Sequence, residues 1–501
     1  MKGLLLLQRR FAILGHAVAL ALKEKYGVNN FCGYVYLRYG FDFLKSQSDI
    51  KYSALLLDDE LHKRYRKEKV DPEYLAYLEK EFGIPNLWLY LTVDRIVMSN
   101  QLVREYPYDL PPYTHEEMLR ILQVKARAIL KMFDEEKPDF VLVSVIGAIG
   151  GMLIYHIAKK RNIPVWVLDV ARIGDFLTLN EHYAYHTEID RAFDQLQAEK
   201  RSSLNAKQAR KFLADFQKTP KIFQNSIYLR PGGEELKNRI NFLWPQNFFS
   251  YLGWFLKTTK SYFLNAHRDD YQEIKPWFYL WDGLKRKMRL LWGFSDLYDT
   301  PLSTEEYVFF PLHFEPEIAT SLYAPFFSDQ LYLIKQIARS LPVKFKLYIK
   351  EHPAMVGYRT RRFYKELKKN PNVKLINPAV PSFPIINNAK IILTISGTVG
   401  WEGILFKKPV ITFGDVFYNK LSMVKRCRAI EELPQIVKTQ LEEFKYNEPE
   451  LVNYIAAAMD ESVEVPLMRL WEREIGDFEK VKKGMAPVAD LLARKLGLAA
   501  P

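Results

Sequence analysis

Cysteine is nearly absent: the 501 residues contain two, Cys32 and Cys427, far apart in the chain. Two thiols so far apart argue against a disulfide framework and against a cysteine-based zinc site, and such scarcity fits a reducing cytoplasm. Long apolar runs are missing as well. The leucines at 4–7 are followed at once by Arg9 and Arg10, with no small-residue cleavage pattern behind them. They read as a first buried strand rather than a signal peptide. No stretch reaches the ~20 apolar residues of a membrane span. Zinc-finger spacing and ribonucleoprotein aromatic motifs are lacking, which argues against nucleic acid as a partner. An Asp-x-Asp pair at a plausible strand end is lacking too, so the sequence requires no metal.

What is present is a basic excess. Lysine and arginine number 72 against 59 carboxylates, a net charge of +13. Such a field attracts nucleotide phosphates, acidic sugars or anionic lipid, although a solvated basic surface accounts for most of the lysines. Aromatics reach 14%; sugars stack on such rings, and so do core side chains. A chain of this length exceeds what one core supports, so two large domains are expected.

The hydrophobic pattern opens as strand (3–8), helix (12–25, ended by Gly27) and strand (31–37), the signature of a parallel α/β sheet. Residues 50–135 read as largely helical, punctuated by Pro72, Pro85 and the prolines of 107–112. A buried strand at 140–145, a glycine-rich turn at 147–151, a helix through Lys160 and a strand at 164–169 complete a first domain. The rhythm breaks over 190–300. A polar helical part (188–218) is followed by an aromatic, basic stretch running from Phe242 and Trp244 through Trp254 and Trp281 to Trp292. Helices of that kind lie on a membrane surface or pack as an insertion against their domain. From 304 the α/β rhythm restarts, with strands at 307–312, 344–350, 373–376, 391–395 and 410–413.

The predicted fold is therefore α/β: two Rossmann-like, doubly wound domains facing a cleft, with a helical aromatic-rich insertion. The boundaries are 1–300 for a first domain that includes the insertion at 190–300, 301–460 for a second, and 461–501 for helices crossing back to the first.

Ligands of open α/β sheets sit beyond the carboxyl ends of the strands. Three such ends in the second domain carry polar residues: His313 through Glu317, Lys350-Glu351-His352-Pro353, and Ser396-Gly397-Thr398. In the last, Gly397 lets a ligand approach the backbone. The hydroxyls of Ser396 and Thr398, with free helix amides, can bind phosphate. Glu402 lies one turn deeper on the Thr398 face and can accept from ribose hydroxyls. The same pattern fits a helix capped by Ser396 or Thr398, with Glu402 in solvent. His352 can hydrogen-bond a phosphate or pair with it when protonated. Arg359, Arg361, Arg362 and Lys365 read mostly as a solvated face. In the first domain, 147–151 either admits a sugar or phosphate or packs a helix on the sheet. Asp169 and Asp175 follow a strand and can act as general acid or base, with Arg172 between them to hold an acidic sugar. His16 is a weaker candidate.

The stretches "YVFFPLHFEPE", "KEHPAMVGYRTRRFYKEL", "PNVKLINP" and "TISGTVGWEGILFKKPVITFG" resemble the bacterial capsule and surface polysaccharide glycosyltransferases of the GT-B fold over about 300–420. Within that group the His-Pro and Ser-containing motifs are similar to those of CMP-sugar users, the Kdo transferases and bacterial sialyltransferases. The sialyltransferases pair serines where this chain has Ser-Gly-Thr. The resemblance implies that His352, Ser396 and Thr398 hold the donor phosphate, that Glu402 lies near the ribose, and that Pro353, Gly397, Lys350, His313 and Glu317 belong to the same donor nucleotide-binding site. It implies a metal-free, nucleotide-sugar-dependent enzyme acting on a glycan or lipid-linked glycan. Such an enzyme would be cytoplasmic, at the inner face of the membrane, with a peripheral contact through 240–295. The Ser-Gly-x-x-x-x-Glu spacing and "KKPV" also resemble UDP-N-acetylglucosamine 2-epimerases, so a UDP-sugar enzyme is the alternative. Gln8-Arg9-Arg10-Phe11 stands where the epimerases carry a Gly-Thr-Arg-Pro-Glu type turn. A non-catalytic nucleotide-binding or membrane-surface scaffold is the reading from another class.

Overall fold

The computed structural model describes residues 1–82, 86–99, 110–199, 201, 203–221 and 245–498. Pro85, Pro107, Phe242 and Trp244 lie outside the described residues.

The first sheet is built from β1 (Lys2–Leu7), β2 (Asn30–Val35), β3 (Tyr52–Leu57), β4 (Phe140–Val143), β5 (Val165–Val170) and β6 (Phe176–Asn180). The second uses β7 (Tyr307–Pro311), β8 (Lys346–Lys350), β9 (Val373–Ile376), β10 (Ile391–Thr394), β11 (Val410–Thr412) and β12 (Val424–Arg426). A last strand, β13 (Ser462–Glu464), returns to the edge of the first sheet.

The leucines of β1 are the centre of the first sheet, paired in parallel with β2 and β4. A strand covered on both faces needs a continuous apolar run, which is what those leucines supply. The next helix, Phe11–Tyr26, stops where Gly27 takes φ 70° and donates its N–H to carbonyls of the last turn. A side chain would disfavour that left-handed conformation. Two features differ from the expected parallel sheet. Tyr52–Leu57 is a strand inside the region read as helical. β6 and β13 are antiparallel, adding a mixed edge to the parallel core. β3 escapes the pattern because only one of its residues is fully buried, so it lacks the apolar run of β1.

Both sheets share one winding order. The first reads β3-β2-β1-β4-β5, and the second β9-β8-β7-β10-β11-β12, with every pair in the second parallel. The direction of progression reverses between β1 and β4 in one, and between β7 and β10 in the other. Those reversals open crevices at the carboxyl ends, the points at which doubly wound sheets take ligands. Gly147, beyond β4, approaches Ile318, beyond β7, so closely that a Cβ on it would lie 2.8 Å from the isoleucine Cγ2. The two crevices are therefore brought edge to edge.

Helices tie the units together. Phe478–Lys495 lies along Phe11–Tyr26 and shares the core of the first sheet, with Lys482 bonded to Glu24 and Asp490 to Lys25. Thr187–Ala198 and Ala206–Lys218 bury Ile189, Phe193, Leu213 and Phe216 in the core of the second sheet, against Glu448–Asp460.

Candidate functional site

The crevice between β7 and β10 is built from the loops at the carboxyl ends of the strands. After β7 the chain places His313 under the turn that leaves β10. His313 Nε2 lies 3.0 Å from Thr394 Oγ1, and Thr394 Oγ1 accepts from the Gly397 N–H at 3.0 Å. The threonine hydroxyl thereby links the turn to the imidazole. A Cβ on Gly397 would sit 2.8 Å from Thr394 Oγ1 and 3.0 Å from His313 Nε2, so only glycine fits. Burial, with His352 and Arg359 adding to it, pushes His313 down to about 3, and the ring stays neutral at physiological pH.

The helix Thr398–Leu405 starts from that turn, with Gly397 as its N-cap and no side-chain cap. The alternative reading, a helix capped by the side chain of Ser396 or Thr398, is not what forms. Ser396 Oγ instead donates to the Ala319 carbonyl at 2.7 Å, pinning the turn to the loop after β7. No side chain caps the start of the helix, which carries the positive dipole end, and of its first amides the Gly400 N–H is taken by the Gly397 carbonyl at 3.1 Å.

After β8, Lys350 and His352 reach the same crevice. His352 Nδ1 accepts from the Ala354 N–H at 3.2 Å, which puts the imidazole hydrogen on Nε2 as a donor. Burial lowers its pKa against the opposing pull of Glu351, so His352 offers a neutral hydrogen bond rather than the protonated partner the sequence allowed. Pro353 opens the short turn Pro353–Met355. Lys350 donates to Ser382 Oγ at 2.8 Å and is brought down to about 8 by burial, opposed by Glu402. Glu402 is itself raised to about 8 by burial, with Lys350 opposing. It is a buried residue, not the solvent-facing helix carboxylate of the alternative reading. Glu317 is exposed and caps the turn Ile318–Ser321 through its backbone.

Arg359 departs from the expected solvated basic face, on which Arg362 and Lys365 are indeed exposed. It is fully buried and lies ahead of the helix Arg361–Leu367. Its guanidinium donates to Glu351 at 2.5 Å, to Glu315 at 2.9 Å and to the His313 carbonyl at 2.8 Å. Glu351 also accepts from Tyr364 and from the His352 N–H, both at 2.7 Å. One buried network therefore fixes the loops after β7 and β8 together. Spacing gave no sign of it, because the partners come from separate loops.

The first unit presents its β5 end to this crevice. Trp401, fully buried in the Gly397 helix, donates its Nε1–H to the Arg172 carbonyl at 3.1 Å. Arg172 is held at φ 59°, a left-handed conformation uncommon outside glycine. Tyr323, beyond β7, donates to the Tyr183 carbonyl at 3.0 Å, and Tyr185 bonds Asp415, which pairs with Arg426. Asp169 is half-buried and 3.4 Å from His186 Nε2. Burial works against its charge, but His186 and Arg172 prevail and hold the carboxyl below its usual range. Asp175 is exposed, and its carbonyl is tied to the Val465 N–H beside β13. Asp169 and Arg172 are thus at the crevice, while the Asp175 backbone belongs to the antiparallel edge.

Two other sequence candidates are structural. His16 is buried beside Tyr52 and Asp49. The helix Ile149–Lys160 starts within 147–151, with its Ile149 amide taken by Asp94 and its Gly151 amide by the Tyr36 hydroxyl, and Gly150 packs on Tyr34. What the sequence missed lies at the end of β3. There buried Asp58 pairs with Lys125 at 2.9 Å and accepts from Tyr34 and Tyr271. Beside it is a cavity of about 380 Å³ lined by His62, Tyr65, Tyr113 and Tyr271. Asp58-Asp59 directly after a strand was the available signal, hidden because 52–57 read as helix. Among the described residues, no group of three or more His, Cys, Asp or Glu side chains is arranged to hold a metal ion.

Two Rossmann-like units facing each other through their carboxyl strand ends constitute a GT-B architecture. Residues 295–431 match the family of capsule polysaccharide biosynthesis proteins, the segment that carries β7 to β12 and the crevice. Protein FixF of Sinorhizobium fredii is 33% identical over 122 residues, 24% of this chain, and the match spans 29% of that protein's length. The beta Kdo 2,7 transferase of Thermosulfurimonas dismutans KpsC is 12% identical, with 71% of this chain and 89% of that one covered, at a TM-score of 0.37. The UDP-GlcNAc 2-epimerase of Neisseria meningitidis bound to UDP-GlcNAc is 15% identical, with 100% of each chain covered, at a TM-score of 0.28. The strand order of this chain, not these distant likenesses, defines its fold.

Proposed function

We propose that the protein is a glycosyltransferase that moves a sugar from a nucleotide-sugar donor onto a surface polysaccharide or its lipid-linked precursor. The observation that carries this is the crevice at the β7–β10 reversal. There Gly397, His313, Lys350 and His352 converge opposite Arg172 and Asp169. The family match over 295–431 supports the surface-glycan setting.

The donor is CMP-activated and acidic, of the Kdo or sialic-acid kind. Its leaving phosphate lies against the uncapped Gly397 helix, with His352 Nε2–H and the Lys350 ammonium as further donors. These groups stabilise the charge that develops on the departing nucleotide, a role that fixed dipoles and cations fill without a metal. Glu402, kept neutral by burial at physiological pH, presents a hydroxyl and a carbonyl to the ribose. Arg172 holds the sugar carboxylate. Asp169, ionised across that pH range, fits the base that takes the acceptor proton rather than an acid. A cytoplasmic enzyme with peripheral contact to the inner membrane face through 240–295 completes this reading.

Calorimetric titration with CMP and UDP tests the donor class. CMP is expected to bind more tightly, and His352→Ala and Ser396→Ala to weaken it. Preference for UDP overturns the CMP assignment in favour of a UDP-sugar enzyme, and binding of neither nucleotide removes the enzyme reading.

A further inference from the structure

The helices Pro245–Leu264 and Pro276–Trp292 form a hairpin, joined through ring contacts of Trp254 with Tyr279 and of Tyr262 with Trp277. A helix packed on a globular protein turns its apolar stripe inward. Pro276–Trp292 does the reverse. Trp277, Leu280, Trp281, Leu284, Met288 and Trp292 recur at helical spacing along one side and are between 40% and 82% exposed. Arginines, with Leu290 packed on the core beside them, take the inward position. Arg286 donates to the Val356 carbonyl at 3.1 Å and stacks on Tyr358, and Arg289 donates to the Tyr358 carbonyl. On the other helix, Leu252, Leu256 and Phe263 are exposed along one side.

The hairpin is fastened to both units. Its connecting segment enters the polar knot at the end of β3, where Asp270 pairs with Arg38 and Lys63 and Gln272 bonds the Tyr36 carbonyl. Its second helix rests on 356–358, the continuation of the His352 loop.

We infer that this outward face docks on the surface of an anionic lipid bilayer. Residues 245–292 carry eight lysines and arginines against four carboxylates. Tryptophans on an apolar stripe, with exposed Lys257 and Lys260 on the partner helix, have the composition of a headgroup-level hairpin that anionic lipid attracts. A protein partner's contact core is instead depleted in lysine. Among the described residues, no helix is long and apolar enough to cross a membrane, so the hairpin lies on the surface. The inference rests on the proposed function in that a lipid-linked acceptor is found at such a surface.

Flotation of the full chain with vesicles tests it. Vesicles of phosphatidylglycerol and phosphatidylcholine are expected to carry the protein at least about tenfold better than phosphatidylcholine alone. The triple variant Trp281→Glu, Leu284→Glu, Trp292→Glu is expected to remain with the soluble fraction. Lys257→Glu with Lys260→Glu, which leaves the stripe intact, is expected to weaken flotation. Equal flotation of either variant and the wild type overturns the inference. So does a wild type that ignores anionic vesicles, including one that sediments as a dimer broken by the triple variant. The assay contains no nucleotide, so its failure leaves the glycosyltransferase reading standing, and failed CMP binding leaves the vesicle result standing.

Discussion

Glu402 and Lys350 are buried within each other's field, and burial moves both pKa values to about 8 from opposite sides. The consequence for Glu402 has a definite sign. In the unfolded chain it ionises near 4.5, while the folded protein keeps its proton to about 8. Its contribution to stability is whole below the lower value and is lost as pH rises through the upper, at ~1.4 kcal/mol per pKa unit. Glu402→Gln has no proton to lose. Its melting temperature relative to wild type is expected to climb between about pH 5 and about pH 8, and a flat difference in scanning calorimetry contradicts the burial argument. At this scale the sequence was legible where a polar residue lies at a strand end. His313, Lys350, His352 and Gly397 were all marked by position after an apolar run. Arg359 was not, because its burial depends on Glu315 and Glu351 meeting it from two loops. Local spacing carries no record of that encounter.

The decisive element is the turn from β10 into Thr398–Leu405. Its backbone passes over His313 and Thr394 with no room for a side chain. Gly397→Ala must push the turn outward, because both neighbours are buried. CMP affinity in calorimetry is expected to fall by about tenfold or more, while the melting temperature moves by only a few degrees. Unchanged affinity would separate the turn from the ligand. Elements of the parallel core were readable because burial on both faces demands continuous apolar residues. β13 and β6 were not, since β13 is a three-residue edge strand that pairs from far along the chain, and β6 folds back antiparallel on β5 through the short connection 171–175. The hairpin was readable as helical and aromatic, but nothing in its sequence said which side faced outward. The arginine contacts to 356–358 decide that.

Across the whole molecule, the two units meet through backbone positions set by large side chains. Trp401 holds the Arg172 carbonyl, and Tyr323 holds that of Tyr183. Asp169 and Arg172 therefore keep a fixed relation to the Gly397 turn, whereas the exposed Asp175 is tied to β13. Sequence could bring these residues to strand ends but could not choose between the two aspartates, because that choice depends on how one sheet is set against the other. The proposed function stands on where a nucleotide binds in this assembly, and a crystal structure grown with CMP and UDP offered together measures it. The expected result is CMP in the β7–β10 crevice, its phosphate on the first amides of Thr398–Leu405 and on His352 Nε2, with Arg172 facing it. A nucleotide bound elsewhere, or UDP in that crevice with its phosphates away from His352, contradicts it.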